Sequence, residues 1–498
     1  MEIYRGIGIC EAVREAGASL APSVGIHSGT SLREVIEPKP RSEKRRKLPF
    51  AGLMEGTSPE AGQFGAQDVV EPVLLSAAKG RGGDVRFYTE CIGVEQDATR
   101  VVAKLRDRET GKEYELTADY LIAADGANSP IREQLGIQRT GEGALGNLLN
   151  ILFTAPLGPF VKDREFSICQ INTPEISGLF TAINNSDRWV FHLWYDAKKG
   201  EKPEDFPKER CVEVLHKALG MDDIEIEVKS ILPWQASVRV AEREQVGRVF
   251  LAGDSAHQMP PYAGQGANSG ISDVHNLSWK LAAVLNKQAS PALLETYEAE
   301  RLPVGKAAAE ASGNAADERG LLYMRKDVKT VVGLARRIHL MSGFGYFYDG
   351  RGIVEESAGP LGGLSWKPWT ISSIFLSLDG RPGSRAPHVW VEKDGKRIST
   401  LDLFGKGFVL LAGSDGQKWV GAAKSIAGSL NGMELVAYRV GPVGDVVDAD
   451  RKWEAAAGVS SRGAILVRPD GFVAWRERRM PNDVEGGLEA TMRQVLCL

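Results

Sequence analysis

The sequence predicts an α/β chain with α+β parts: an incomplete Rossmann-like domain, an inserted mixed-sheet domain and a C-terminal thioredoxin-like domain. Three observations predict it. Two short apolar runs, 121–124 and 249–252, stop at Asp125-Gly126 and Gly253-Asp254, as buried parallel strands do where they deliver loops. Strand-like stretches fill the interval between them. The stretch from 386 onward then reads β-α-β-α-β-β-α, with no cysteine after its first strand where a redox pair would sit.

In chain order, a helix is expected near residue 68, with Asp68 as cap, Glu71 at the third position, Val73, Leu74 and Ala77 on the buried face, and Gly80 and Gly82 ending it. Residues 85–88 and 101–105 alternate as strands, and Glu109-Thr110-Gly111 turns the chain into 113–116, a hairpin. Strands follow at 149–153, 179–183 and 189–195, with a helix over 207–219. After 249–252 comes a loop and a long helix with Ile271, Val274, Leu277, Leu281 and Val284 at helical spacing. In the last unit, strands at 408–411, 435–440, 465–467 and 472–475 alternate with helices from 417, near 450–456 and from 483, and Pro469-Asp470-Gly471 makes a hairpin turn. The domain boundaries expected are 1–140 and 248–320 for the two parts of the Rossmann-like domain, 141–247 for the sheet domain, 321–385 for a helical and linker region, and 386–498 for the thioredoxin-like unit. Gly- and Pro-rich 359–387 is the linker candidate.

With 498 residues the chain exceeds what one core supports. Lys plus Arg total 61 against 65 Asp plus Glu, a net charge of -4 that argues against nucleic acid as a partner. Cys10, Cys91, Cys169, Cys211 and Cys497 show no spacing for zinc, a redox pair or a secreted framework, which suits a cytoplasmic protein. No apolar run approaches the roughly 18 residues of a membrane span, and Glu2, Arg5 and Glu11 stand where a signal peptide would be apolar. Neither a membrane nor a protein-bound metal is expected, since the seven histidines lack HxxxH and H-E-x-x-H spacing.

The chemistry concentrates in residues 253–276, GDSAHQMPPYAGQGANSGISDVHN. A carboxylate at the end of a buried strand, Asp254, can accept hydrogen bonds from ribityl or ribose hydroxyls. Pro260 and Pro261 stiffen the loop, and Gly264, Gly266 and Gly270 allow backbone to approach a flat ring system. The helix behind them aims its amides and positive dipole end at whatever lies in front. His257 reads as a structural hydrogen-bonding residue beside Asp254, and no catalytic side chain is assigned.

These residues resemble the flavoprotein aromatic monooxygenases of the p-hydroxybenzoate hydroxylase type, in the polyketide and phenol hydroxylase branch that carries a C-terminal thioredoxin-like domain. The resemblance implies an FAD-binding domain in which Gly253 and Asp254 hold the ribityl chain and Pro260, Pro261, Gly264, Gln265, Gly266, Ala267 and Asn268 line the isoalloxazine. The family's usual glycine pair is Ala263-Gly264 here. A second family motif, D-G-x-x-S-x-x-R, is complete as Asp125, Gly126, Ser129 and Arg132 and implies contacts with FAD and the incoming NAD(P)H. Gln67 matches a position that touches the FAD ribose and pyrophosphate.

Family members open with strand, G-x-G-x-x-G, helix and strand. This sequence has no such unit: Gly6-Ile7-Gly8 has Glu11 where the third glycine would fall, and 1–18 looks like the helix that follows the unit. Without it the sheet lacks its innermost strand, so poor FAD binding is expected, and Met1 is expected to be an internal methionine of a longer reading frame. The implied reaction is hydroxylation of a phenolic, polycyclic polyketide-type aromatic through a C4a-hydroperoxyflavin, with NAD(P)H and oxygen, in secondary metabolism. The 189–195 strand, aromatic on both faces, would line the apolar substrate pocket. Homodimer contacts through the C-terminal domain are also implied. Two alternatives are Baeyer-Villiger or epoxidising chemistry on the same scaffold and a flavin-free, non-catalytic interaction protein.

Overall fold

The computed structural model describes residues 1–20, 25–37, 56–63, 65–262, 264–322, 345–354 and 378–498. Val249–Leu251 lies parallel to Leu121–Ala123, with Val249 opposite Leu121 and Leu251 opposite Ala123. The two apolar runs therefore end side by side and deliver their loops at one edge. Gln245–Val246 pairs antiparallel on the far side of Val249–Leu251. Leu121–Ala123 has no second strand partner among the described residues, and Ile122 is left 42% exposed. A strand that reads as fully buried is thus partly open.

A seven-stranded sheet runs in the order Ile26–Gly29, Ile168–Asn172, Ser177–Ala182, Arg188–Tyr195, Arg139–Thr154, Glu227–Ala241 and His257–Gln258. Its first pair is parallel and the others antiparallel, so the sheet is mixed as expected. Trp189, Phe191, Leu193 and Tyr195 share one buried core with Cys211 and Leu215 of the Lys208–Leu219 helix. Val190, His192 and Trp194, on the opposite face, are half-buried. Residues 26–36, counted with the first domain from sequence, belong to this sheet: Ile26–Gly29 pairs with it, and Leu32 and Ile36 enter its core.

In the C-terminal unit, Leu435–Gly441, Phe408–Ala412, Ala464–Val467 and Val473–Glu477 lie in that order, the first pair parallel and the rest antiparallel. This is the thioredoxin arrangement, extended at one edge by Val446–Val447, Trp390–Lys393 and Lys396–Ser399. Gln417–Ile426 and Val484–Val495 cover one face of the sheet and Lys452–Ala457 the other.

Several local expectations are corrected. Ala66, not Asp68, caps Gln67–Gly80; Asp68 sits in the first turn and pairs with Arg188 at 2.8 Å. Val73, Leu74 and Ala77 are only half-buried. The strand after this helix is Thr89–Gln96 rather than 85–88. Phe87 and Tyr88 are 64% and 67% exposed, so the alternation had no buried face to fill. Residues 1–18 form two helices, Glu2–Gly6 and Cys10–Ala16, separated where Gly8 takes φ 73. Most of the expected linker, and 323–344 and 355–377 of the 321–385 region, lie outside the described residues.

The C-terminal unit is clasped to the long Gln265–Leu285 helix by charges carried on the turn after Ala464–Val467. Arg468 donates to both Glu300 oxygens, at 2.7 and 2.9 Å, and to Asp470 at 3.1 Å. Lys280 and Asn276 donate to the same Glu300 at 2.8 and 2.7 Å, and the Trp279 indole donates to Asp470 at 3.1 Å. All six side chains are buried or nearly so. Two cations face two carboxylates, so the cluster is neutral. Burial pushes the Glu300 carboxyl up, but Arg468 and Lys280 outweigh it and hold it at about 2. Burial lowers Lys280 to about 8 against the pull of Glu300, which leaves it charged at neutral pH.

Replacing Glu300 by Gln leaves the buried Lys280 without its carboxylate and Arg468 with Asp470 alone, and a loss of about 3–5 kcal/mol is expected from the urea midpoint. Because the folded carboxyl titrates below its ordinary 4.5, its contribution is complete above that value and disappears as pH falls toward 2. The wild-type protein should therefore lose stability over that window more steeply than Glu300→Gln.

Candidate functional site

Each of the two strand ends, side by side, carries one motif. After Leu121–Ala123, Gly126 takes φ 83, a left-handed turn that favours glycine. Ser129 caps Pro130–Gln134 by accepting from the Arg132 amide at 2.9 Å. Asp125 accepts from the Ile131 amide at 3.3 Å and keeps an exposed face. The buried Arg132 guanidinium donates through Nη1 to the Ala127 carbonyl at 3.2 Å and the Ser255 carbonyl at 3.0 Å, which ties the first motif to the second. Its Nη2 is shielded from solvent without a hydrogen-bond partner; the nearest carboxylate oxygen, on Glu133, is 3.9 Å away.

After Val249–Leu251, Gly253 turns with φ 64 and donates its amide to Asp273 at 2.9 Å. A Cβ on Gly270 would come within 3.3 Å of the Gly253 Cα. Gly270 therefore lets helix and loop pack together, a correction to its expected approach to a flat ring. Gly264, with φ 64, precedes the first turn of Gln265–Leu285, and a Cβ added at Gly264 or Gly266 meets no protein atom within 4 Å. Asn268 donates to the Gly264 carbonyl at 2.6 Å. Ala267 and Pro261 are exposed, while Gln265 and Pro260 are buried; Ala263 lies outside the described residues. Asp254 has an exposed face, although burial among the loops raises its pKa, with His257 opposing. Gln67 is not brought to this cluster by any contact seen: its exposed side chain donates to Glu71 along its own helix.

Beneath the loop lies a network that sequence reasoning missed. Asp273 accepts from His257 Nε2 and Arg301 Nε, both at 2.8 Å, besides the Gly253 amide. Arg301 continues to the Ser269 carbonyl and the Tyr348 hydroxyl, each at 3.3 Å. Burial pushes the Asp273 carboxyl up, but Arg301 and His257 prevail and hold it well below the usual range. His257 is thus pinned to Asp273 rather than to its neighbour Asp254. The signal was present as polar residues at helical spacing, Ser269, Asp273, Asn276 and Lys280, all of them buried. Of the expected apolar stripe, Leu277 is fully buried but Val274 is 40% exposed.

Arg139 and Arg239 were also missed. Arg139 donates to the Ala127 carbonyl at 2.9 Å. Burial, then the charge of Arg239, lowers its pKa; burial, then the charge of Arg139, lowers that of Arg132. Clustered cations of this kind favour an anionic guest.

The residues fit the ring and ribityl end of a flavin: outward-facing helix amides, an open carboxylate, and a buried guanidinium with an unmet donor. Residues 1–312 match the family described as FAD binding domain, and 379–497 the one described as aromatic-ring hydroxylase, C-terminal. The chain belongs to the FAD-dependent aromatic-ring hydroxylases. Tetracenomycin A2 monooxygenase-dioxygenase of Streptomyces glaucescens is 37% identical to this hydroxylase over 520 residues, spanning 100% of this chain and 88% of the relative. The 2,4-dichlorophenol 6-monooxygenase of Delftia acidovorans is 31% identical, spanning 100% and 90%. Among solved structures, a ternary complex of aklavinone-11 hydroxylase with FAD and aklavinone superposes with a TM-score of 0.82 at 33% identity, over 100% of this chain and 90% of that one.

Substituting Asp273 by Ala leaves Arg301 buried without its carboxylate. A loss of about 3–5 kcal/mol is expected on urea unfolding, with faster hydrogen exchange at the Gly253 amide than in the wild-type hydroxylase.

Proposed function

We propose that this chain is a flavin-dependent monooxygenase that hydroxylates a phenolic, polycyclic aromatic of the polyketide type with NAD(P)H and oxygen. One observation carries the reading: Arg132 bridges the two strand-end motifs, donating to the Ala127 carbonyl of the first and the Ser255 carbonyl of the second. The relatives named for tetracenomycin and aklavinone chemistry support the substrate class. When bound, FAD supplies the redox chemistry, taking reducing equivalents from NAD(P)H and activating oxygen.

The protein's part is to bind, orient and exclude water. Asp254 accepts hydrogen bonds from the ribityl hydroxyls. The amides of 264–268 and the positive end of the helix dipole would face the flavin ring system and favour negative charge on it. Arg132 offers its unmet Nη2, and Asp125, Gly126 and Ser129 hold that arginine's turn in place. Gly253 gives the loop its sharp turn, while Pro260 and Pro261 limit its movement. Gln67 would serve the ribose and pyrophosphate end by releasing Glu71. Arg139 and Arg239 draw in the phosphates of the nicotinamide cofactor.

The test is air oxidation of NAD(P)H by the FAD-supplemented chain, with and without a hydroxylated polycyclic aromatic. Stimulation by the aromatic, with label from isotopic oxygen appearing in the product, is expected. A rate that no such aromatic alters would overturn the proposal. Asp254→Ala should weaken FAD binding by about 10- to 100-fold, the worth of charge-assisted hydrogen bonds, read by quenching of flavin fluorescence.

A further inference from the structure

One face of Arg188–Tyr195 is committed to the core, but the other is continuous with the flavin loop. Tyr262, next to Pro261, packs in one apolar cluster with Leu148 and Leu179, and Trp194 and Trp234 lie against that cluster, half-buried. The Tyr262 hydroxyl is fixed on the Gly320 carbonyl at 2.5 Å. This cluster therefore borders the place where the ring system is proposed to sit.

On the same face His192 is fully engaged. One ring nitrogen meets Asn150 Oδ1 at 2.6 Å and the other meets Thr181 Oγ1 at 3.2 Å. Burial lowers its pKa to about 4, so the ring is neutral. Its ring stands edge-on to Trp234, with centroids 6.1 Å apart and planes at 79°.

Trp234 is where the accounting fails to close. The indoles of Trp189, Trp279 and Trp419 donate to oxygens at 3.1, 3.1 and 2.9 Å. Trp234 Nε1 is shielded from water and has no acceptor. Trp453 shares that condition but is wholly enclosed in the C-terminal core, whereas Trp234 is only half-buried. A desolvated donor on a partly open aromatic face is what a site presents when its ligand supplies the missing oxygen.

We propose that Trp234 is a specificity-determining residue whose indole N–H donates to an acceptor oxygen on the edge of a polycyclic aromatic substrate, with His192 standing edge-on behind it. The inference rests on the monooxygenase reading and deepens it. It separates oxygen-bearing polycycles from hydrocarbons of the same shape, because an apolar analogue leaves the donor unpaired.

The test is equilibrium dialysis of the full chain against alizarin, a dihydroxyanthraquinone, and against anthracene, which lacks oxygen. Wild-type protein should bind alizarin the more tightly. Trp234→Phe, which keeps an aromatic ring and removes the donor, should weaken alizarin about tenfold and leave anthracene unchanged. Equal losses for both ligands would mean packing alone and overturn the proposal, as would no loss for alizarin. The wild-type comparison needs no variant, and anthracene bound as tightly as alizarin, or neither bound, overturns it as well. FAD titration and aromatic-stimulated NAD(P)H oxidation on the same preparation separate the two claims: if both succeed while Trp234 proves indifferent, the monooxygenase reading stands and only this assignment falls.

Discussion

The site depends on buried charge along one side of the Gln265–Leu285 helix. Near its start, Asp273 fastens the Gly253 amide, His257 and Arg301, and so sets the loop that carries Asp254. Two turns further, Lys280 and Asn276 join Glu300 and Arg468, and so seat the C-terminal unit against the same helix. Ion pairs of this kind add little net stability compared with apolar side chains of equal volume. What they do is penalise any rotation or slide of the helix, since each misalignment leaves a charge unpaired in a dry interior. The amides at the start of the helix inherit their position from that constraint.

Much of the architecture was legible because it rests on short, unambiguous patterns. The runs 121–124 and 249–252 could be read as buried strands from their uninterrupted apolar character, and Asp125 and Gly253 marked their ends; the parallel pairing follows. The C-terminal order of strands and helices was equally plain. The polar side of the long helix was not, because hydrophobic periodicity counts Ile271 and Val274 and passes over Asp273 and Lys280. Buried polar residues look like a solvated face until their partners are known: Glu300 lies 20 positions from Lys280, Arg301 lies 28 from Asp273, and Arg468 reaches Glu300 from 168 positions further on.

Other misreadings came from treating local chemistry as sufficient. Asp68 has the composition of a cap, yet Ala66 takes the extended backbone that a cap position needs. Gly270 serves a contact between two backbones, where sequence suggested a contact with a ligand. Residues 26–29 could not be assigned to the inserted sheet because their partner, Ile168–Asn172, begins more than a hundred residues later. The 189–195 strand was read as aromatic on both faces, but only its packing separates the core side, Trp189, Phe191, Leu193 and Tyr195, from the side on which Trp194 meets Tyr262.

The central claim is that ring-binding amides and the Arg132 turn form one surface. Hydrogen exchange followed with and without saturating FAD tests it most directly. Slower exchange is expected at the amides of 126–132 and 264–268 together, with little change across the C-terminal sheet. Bound FAD that leaves both segments exchanging at their original rates would contradict the account.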